Sequence, residues 1–354
     1  MISASLIDVV QCPDCASPLE TAAPGTLQCP RCSRTFDAAG DYLDLRPREA
    51  FAEQTKYLDH ELHADARHET IAPPVLGSKI RNDMLRRFLQ PRSGDRIVDL
   101  GCGSGRAIAW NADAGASVVG VDISPFFAAE AVTHADLVLG DLRRLPLRAA
   151  SFDKAWSLDV MEHLSPEALR DVLREAHRVL RPGGSFFIYT HVRKNGWPAR
   201  GVRAVNQLAR VVERAGLLDL RQERLRKSDH LNPVADHDEW IRVTGECGFT
   251  VERITYYSPV VGAFMENVVA RVVERALARR AARTLKNGPA GSAPDAAIKH
   301  ARRSAQDRVR RRGAVYWALR AATGVMALDV ALFGRVRSGP FFTLLRRDRE
   351  GGER

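Results

Sequence analysis

No glycine-rich turn in this 354-residue chain is followed by Gly-Lys and then Ser or Thr. That excludes a phosphate loop of the triphosphate-binding kind. The start, MISASLIDVVQCPDC, lacks a basic leader and a long apolar run, so no secretory signal is expected. Acidic residues are in deficit: 43 Asp and Glu stand against 53 Lys and Arg, a net charge of +10. The excess implies an acidic partner (nucleic acid, an anionic membrane surface or a phosphorylated substrate) or simply a solvated basic face. Cysteine is scarce and unevenly spread. Four of the six fall in two CxxC pairs, and Cys102 and Cys247 lie apart. This suits a reduced, cytoplasmic protein with a metal site better than a disulfide framework.

The pairs read CPDC, thirteen residues, CPRC. Two close thiol pairs joined by a short loop suit a tetrahedral Zn²⁺ held by Cys12, Cys15, Cys29 and Cys32. About forty residues bury too little to fold unaided, so the metal would supply much of the folding energy. Chelation is expected to unfold the chain up to about Leu45 and to leave the core folded. Phe36, Tyr42, Leu43 and Leu45 are expected to pack over the cysteine turns. The stretch resembles the N-terminal zinc ribbon of rRNA guanine methyltransferases and the small zinc-ribbon activators of other methyltransferases.

RIVDL, Arg96 to Leu100, reads as a buried parallel strand, followed by the turn GCGSG and a helix from about Ser104. This is the first β–turn–α unit of a doubly wound sheet, which binds ligands at its strand ends. Gly101, Gly103 and Gly105 give GxGxG. A dinucleotide fingerprint needs a further glycine where Arg106 stands. S-adenosylmethionine fits better. Its carboxylate suits the helix start near Ser104, its ammonium suits Asp99, and the glycines let the backbone approach. SVVGVDIS ends a second strand at Asp122, placed for the ribose hydroxyls. DLVLGDL ends a third at Asp141, placed for the adenine amine, with Leu142 over the ring. FDKAWSLDVMEHL gives a fourth strand, and LREAHRVLRPGGSFFIYTH a helix, a Pro-Gly-Gly turn and a fifth strand.

DLGCGSG, VDIS, GDLRRLPL, FDKAWSLDVMEHL and RVLRPGG resemble successive motifs of class I S-adenosylmethionine-dependent methyltransferases. The resemblance implies an α/β fold with a doubly wound, seven-stranded Rossmann-like sheet. It also implies cofactor contacts from Asp99, Gly101, Gly103, Gly105, Asp122, Ile123, Asp141, Leu142 and Asp159. Methyl transfer needs mainly alignment and exclusion of water; a base is needed only where the acceptor must lose a proton. Glu162, His163 and His191, in the loops after strands four and five, are the candidates. Glu162–His163 resembles the EH pair that lines the pocket near the methyl group in this family. Cys102 reads as a small turn residue. The NPPY motif of adenine amino-methylases and a cysteine pair for pyrimidine-carbon chemistry are both absent.

Pro198 to Ala215 reads as an amphipathic helix. Asp236 and Glu239 form a capping box for a helix running to about Cys247. Gly248 to Ser258 reads as a sixth strand and Phe341 to Arg347 as a seventh, so a helical insertion splits the final hairpin. Between Glu266 and Arg312 thirteen Lys and Arg face four Asp and Glu, a net +9. Ala314 to Phe333 is largely apolar, but Arg320 and Asp329 would each cost about 2.5–3.5 kcal/mol at a bilayer centre. A helix in a membrane interface, over an acceptor pocket or buried against the catalytic domain fits it better. The expected divisions are a zinc ribbon (1–47), a helical linker (48–90), a methyltransferase core (91–258), a basic helical insertion (259–338) and a last strand with tail (339–354).

Two acceptor classes follow. One is a small-molecule or lipid-linked acceptor, with the basic flank and apolar helix resting peripherally on an anionic membrane. The other is rRNA or tRNA, held by the ribbon and the insertion, although the insertion has few aromatics to stack bases.

Overall fold

The computed structural model describes residues 3–37, 40–48, 70–193, 230–257 and 313–348, together with the single positions 207, 211 and 264. The basic stretch from 266 to 312 lies outside the described residues, as does the helix expected over 198–215 apart from residues 207 and 211.

Alternating strands and helices follow Arg96. The strands are β5 (Arg96–Leu100), β6 (Ser117–Asp122), β7 (Asp136–Leu139), β8 (Phe152–Leu158), β9 (Leu180–His191), β10 (Phe249–Tyr256) and β11 (Pro340–Arg347). They lie in one sheet in the order β10-β11-β9-β8-β5-β6-β7, and β4 (Leu43–Asp44) extends it beyond β7. Pairing is parallel from β4 to β9, while β11 runs antiparallel to both β9 and β10. This is a Rossmann-like sheet, with β6 and β7 laid down outward on one side of β5 and β8 and β9 on the other. Buried parallel strands need apolar side chains on both faces; Ile97, Val98, Leu100, Val119 and Val121 supply them.

Two helices show why the flanking layers form. In α5 (Pro166–Val179), Ser165 caps the Ala168 N–H and Pro166 sits in the first turn, where its missing N–H costs nothing. Leu169, Val172, Leu173, Ala176 and Val179 then make one buried stripe. In α2 (Leu76–Leu89), Ile80, Met84, Leu85, Phe88 and Leu89 face the core, so most of the described part of the expected linker is a wall of the sheet. The helix α6 (His237–Glu246) starts as expected: Asp236 accepts from the Glu239 N–H, and Glu239 reaches back to the Ala235 N–H at 2.6 Å. The Pro-Gly-Gly turn is a difference from expectation. Leu180 pairs directly with Phe152 where α5 ends, and residues 181–184 form a register break inside β9.

The N-terminal residues pack tightly on this sheet. A small three-stranded sheet is made of β1 (Glu20–Ala23), β2 (Thr26–Gln28) and β3 (Thr35–Asp37). Cys12 and Cys29 each begin a tight turn that passes through a residue of positive φ, Ala16 and Ser33. The Gln11 N–H donates to Pro146 O (2.9 Å) and the Arg148 N–H to Val9 O (2.7 Å). Leu6, Val9, Val10, Leu43 and Leu45 share one apolar cluster with Val138, Leu145 and Leu147. Although the sequence places residues 1–47 in a ribbon, their last part thus contributes a strand to the large sheet.

Within the expected insertion, α7 (Ala314–Phe333) is the described helix long and apolar enough to cross a membrane. Thr323, Met326, Asp329 and Val330 are buried, and Thr323 accepts from the Leu76 N–H at the start of α2. Much of the rest is open: Trp317, Val325, Leu328 and Leu332, and Phe333 at the helix end, are all more than half exposed.

Candidate active site at the carboxyl ends of the central strands

The turn after β5 needs its glycines, for different reasons. All three have positive φ, a region that L side chains adopt at a cost of about 1–2 kcal/mol. A Cβ on Gly101 would lie 2.4 Å from a methyl group of Val160, and one on Gly105 would lie 2.3 Å from the Ala131 Cβ. A Cβ on Gly103 would meet nothing within 4 Å. Gly101 and Gly105 therefore allow close packing, whereas Gly103 leaves open space along the turn. We expect Gly105→Ala to lower unfolding stability by about 3 kcal/mol, combining strain with overpacking. Gly103→Ala should cost only about 1–2 kcal/mol yet impair ligand binding. Urea denaturation paired with binding calorimetry separates the two, and equal stability losses would contradict the assignment.

Three aspartates flank this turn. Asp99 is 2% exposed, and its Oδ2 has no hydrogen-bond partner among the described residues. Burial, reinforced by the charge of Asp122 and only partly offset by Trp156, pushes its carboxyl up to about 7. A buried acceptor without a donor is costly unless a ligand completes it, and an ammonium group would. Asp122 ends β6. Its Oδ2 accepts from the Gly103 N–H (2.7 Å), and its Oδ1 from the N–H and hydroxyl of Ser124 (2.9 and 2.8 Å). Oδ2 keeps a second lone pair for a hydroxyl, while Oδ1 regains one only when the rotatable Ser124 hydroxyl turns away. Asp141, beyond β7, accepts from the backbone N–H of Arg143 (2.9 Å) and pairs with its guanidinium (3.1 Å). Ile123 and Leu142 beside them are half-buried. Burial pushes the Cys102 thiol well above its usual range, which suits packing and not nucleophilic attack.

The chain after β8 turns back through Asp159 and a single 3-10 turn, Met161–His163. Asp159 has φ +58° and lies 3.5 Å from Arg81 of α2. The contact of Val160 with Gly101 holds this segment against the glycine turn. Glu162 is 1% exposed. It accepts from the Thr190 hydroxyl (3.0 Å) and lies 3.2 Å from His191 Nδ1. Burial alone would raise its carboxyl, but the His191 hydrogen bond and the nearby imidazoles hold it below the usual range. The rings of His163 and His230 meet edge to face at 4.6 Å, and His191 lies 5.9 Å from His230.

The structure thus gathers Glu162, His163 and His191 into one cluster at the ends of β8 and β9, and sets Asp99, Asp122 and the glycines beside it. Sequence reasoning did not assign His230 or Arg81 to the site. His230 comes from a separate loop, tied down by the Asn232 N–H donating to Glu162 O (2.9 Å). Arg81 lies over the Tyr189 ring at 5.1 Å. In the ribbon the four cysteine sulfurs lie within 4.8 Å of one another, with Cys12–Cys32 at 3.6 Å and Cys15–Cys29 at 3.4 Å. A tetrahedral ion with bonds of about 2.3 Å sets its sulfurs ~3.8 Å apart, so the four cysteines fit one.

Residues 98–188 match the family model described as a methyltransferase domain. An uncharacterized methyltransferase of Synechocystis is 35% identical over 29% of this chain and 50% of its own length. The 24-methylenesterol C-methyltransferase 2 of Oryza sativa is 30% identical over 49% of this chain and 46% of its own. The chain spans about half the length of these curated relatives. Among solved structures, phosphoethanolamine N-methyltransferase 2 of Haemonchus contortus is 15% identical, covering 84% of this chain and 61% of that one, with a TM-score of 0.48. By sequence match, residues 98–188 form a methyltransferase domain, carried on a Rossmann-like sheet.

Proposed function

We propose that this chain transfers the methyl group of S-adenosylmethionine to a small-molecule or lipid-linked acceptor, with a structural Zn²⁺ in its N-terminal ribbon. The observation that carries the donor reading is the open backbone at Gly103 beside the unpartnered, buried Oδ2 of Asp99. Bound there, the donor supplies an already activated sulfonium methyl. Asp99 takes its ammonium, the glycine turn its amino-acid end, and Asp122 with Ile123 its ribose. Asp141 takes the adenine amine and Leu142 covers the ring. Asp159 borders the cofactor, while Glu162, His163 and His191 line the acceptor side.

The Asp99 assignment predicts a pH dependence. Its folded value of about 7 stands above the ordinary 3.8. Protonation therefore favours the free folded protein. That stability is fully present below the ordinary value and is lost as pH rises through about 7. An ammonium ligand prefers the ionised form. Donor affinity should rise with pH up to about 7, and binding at pH 6 should release a proton. Calorimetry in buffers of different ionisation enthalpy reads this release; its persistence in Asp99→Asn would remove Asp99 from the role.

The acceptor reading is supported by the exposed apolar side chains of α7, Trp317, Val325, Leu328 and Leu332, each more than half open. It is also supported by the acceptor class in the rice relative's name, a sterol. Such a face suits a peripheral seat on lipid, with the +9 stretch before it adding attraction to anionic headgroups. The test supplies isotopically labelled donor with lipid, metabolite and RNA fractions. Label in the organic extract is expected, and label confined to RNA would overturn the acceptor class. Replacing Leu328 and Leu332 together by Glu should abolish sedimentation with anionic vesicles.

A further inference from the structure

The methyltransferase core contains a second constellation of metal-ligand type, remote in sequence from the cysteines. One ligand atom each from Glu162, His163 and His230 lies within 4.8 Å of the others. A tetrahedral ion bound by nitrogen and oxygen at about 2.0–2.1 Å sets its ligands ~3.4 Å apart. The three groups therefore need to draw in by no more than about 1.5 Å. They do not come from one flexible loop. Glu162 and His163 lie in the 3-10 turn pinned against Gly101 through Val160. His230 lies beside the segment held by two backbone hydrogen bonds, Asn232 N–H to Glu162 O (2.9 Å) and Arg193 N–H to Val234 O (3.1 Å).

The surroundings are those of a ligating carboxylate. Metal-bound carboxylates and imidazoles are themselves oriented by hydrogen bonds from an outer layer. Glu162 has such a layer, with the Thr190 hydroxyl on one oxygen and His191 on the other. Each oxygen keeps a lone pair for an ion. A carboxylate that is 1% exposed is kept in place by facing positive charge, and a divalent cation would add to what His191 supplies at 3.2 Å. Two half-buried imidazoles complete the set, and a tetrahedral ion held by these three groups has a fourth position left for another ligand. Three protein ligands with one open position is the arrangement of catalytic, as distinct from structural, zinc sites.

We propose that Glu162, His163 and His230 bind a divalent cation of the zinc type, with His191 and Thr190 as positioning residues. Its open coordination position receives an oxygen of the acceptor. This inference rests on the methyl-donor reading for its purpose, but not for its binding site. A cation there holds the acceptor oxygen next to the glycine turn and lowers its pKa, as it does for bound water. The acceptor class narrows accordingly to molecules that present a hydroxyl or phenol.

The test is a metal count on the full chain, saturated with Zn²⁺, desalted and measured by atomic emission. About two ions per chain are expected in the natural protein and about one in His163→Ala and in His230→Ala. His191→Ala should still bind about two, with the second about 10- to 100-fold weaker. Binding of S-adenosylhomocysteine by each variant, together with its melting curve, reports that the fold is intact. A single ion in the natural protein, or two in both histidine variants, overturns the proposal. Failure of the natural protein to bind S-adenosylhomocysteine sinks the donor reading instead and leaves the metal count readable.

Discussion

Asp122→Ala is expected to raise the dissociation constant for S-adenosylhomocysteine about a hundredfold. The carboxylate would accept two ribose hydroxyls, one on Oδ2 and one on Oδ1 in place of the Ser124 hydroxyl, each bond to a charged acceptor contributing about 1.5 kcal/mol, and each 1.4 kcal/mol is worth about a factor of ten. The substitution also frees the Gly103 N–H that Asp122 holds at 2.7 Å, which loosens the one part of the turn open to a ligand. Asp122→Asn keeps the size and one acceptor oxygen, so it should fall between the two. Calorimetric titration measures all three proteins. An unchanged affinity in the alanine variant would refute the ribose assignment, whatever happened to turnover.

Removal of zinc is expected to have the second large effect, in two stages. The ribbon loses its structure first, since a metal at four thiolates supplies folding energy that so short a segment lacks. The remaining domain then melts at a lower temperature, because Val138, Leu145 and Leu147 are covered by Leu6, Val9, Val10, Leu43 and Leu45 in one cluster. Even partial exposure of three such side chains costs about 4 kcal/mol, on the order of 10 °C for a domain of this size. Scanning calorimetry with and without a thiol-compatible chelator measures the shift. An unmoved main transition would show that the ribbon folds and unfolds independently of its neighbour.

The strands of the central sheet were legible because each carries its own local signal. RIVDL ends in Asp99 and a glycine turn, and VVGVD ends in Asp122. Buried parallel strands write themselves as apolar runs closed by polar ends. The helix start at Asp236 was equally local, a side chain capping an N–H three residues on, whereas α5 was legible only from Leu173 and its cap at Ser165 was missed. The place of β4 was not legible. Two residues, Leu43 and Asp44, hold no periodicity, and their pairing with Val138 and Leu139 spans nearly a hundred positions. The site divides in the same way. The glycines and aspartates follow from a motif, whereas His230 meets His163 and Glu162 only through tertiary packing. Nothing in KSDHLNP marks that histidine beforehand. The two faces of α7 were also hidden: its composition is apolar all round, and only the docking of Thr323, Met326 and Val330 shows which side stays open.

The short strand β4 has a consequence for the solution behaviour of shortened chains. It covers the outer side of β7, with the Leu45 N–H donating to Leu139 O (2.9 Å). A chain beginning after Leu45 would present Leu137, Val138 and Leu139 as a bare, apolar border whose amides seek another strand. Such a chain should dimerise or precipitate through that border even with every methyl-donor contact in place, and a lysine at Val138 should keep it in solution.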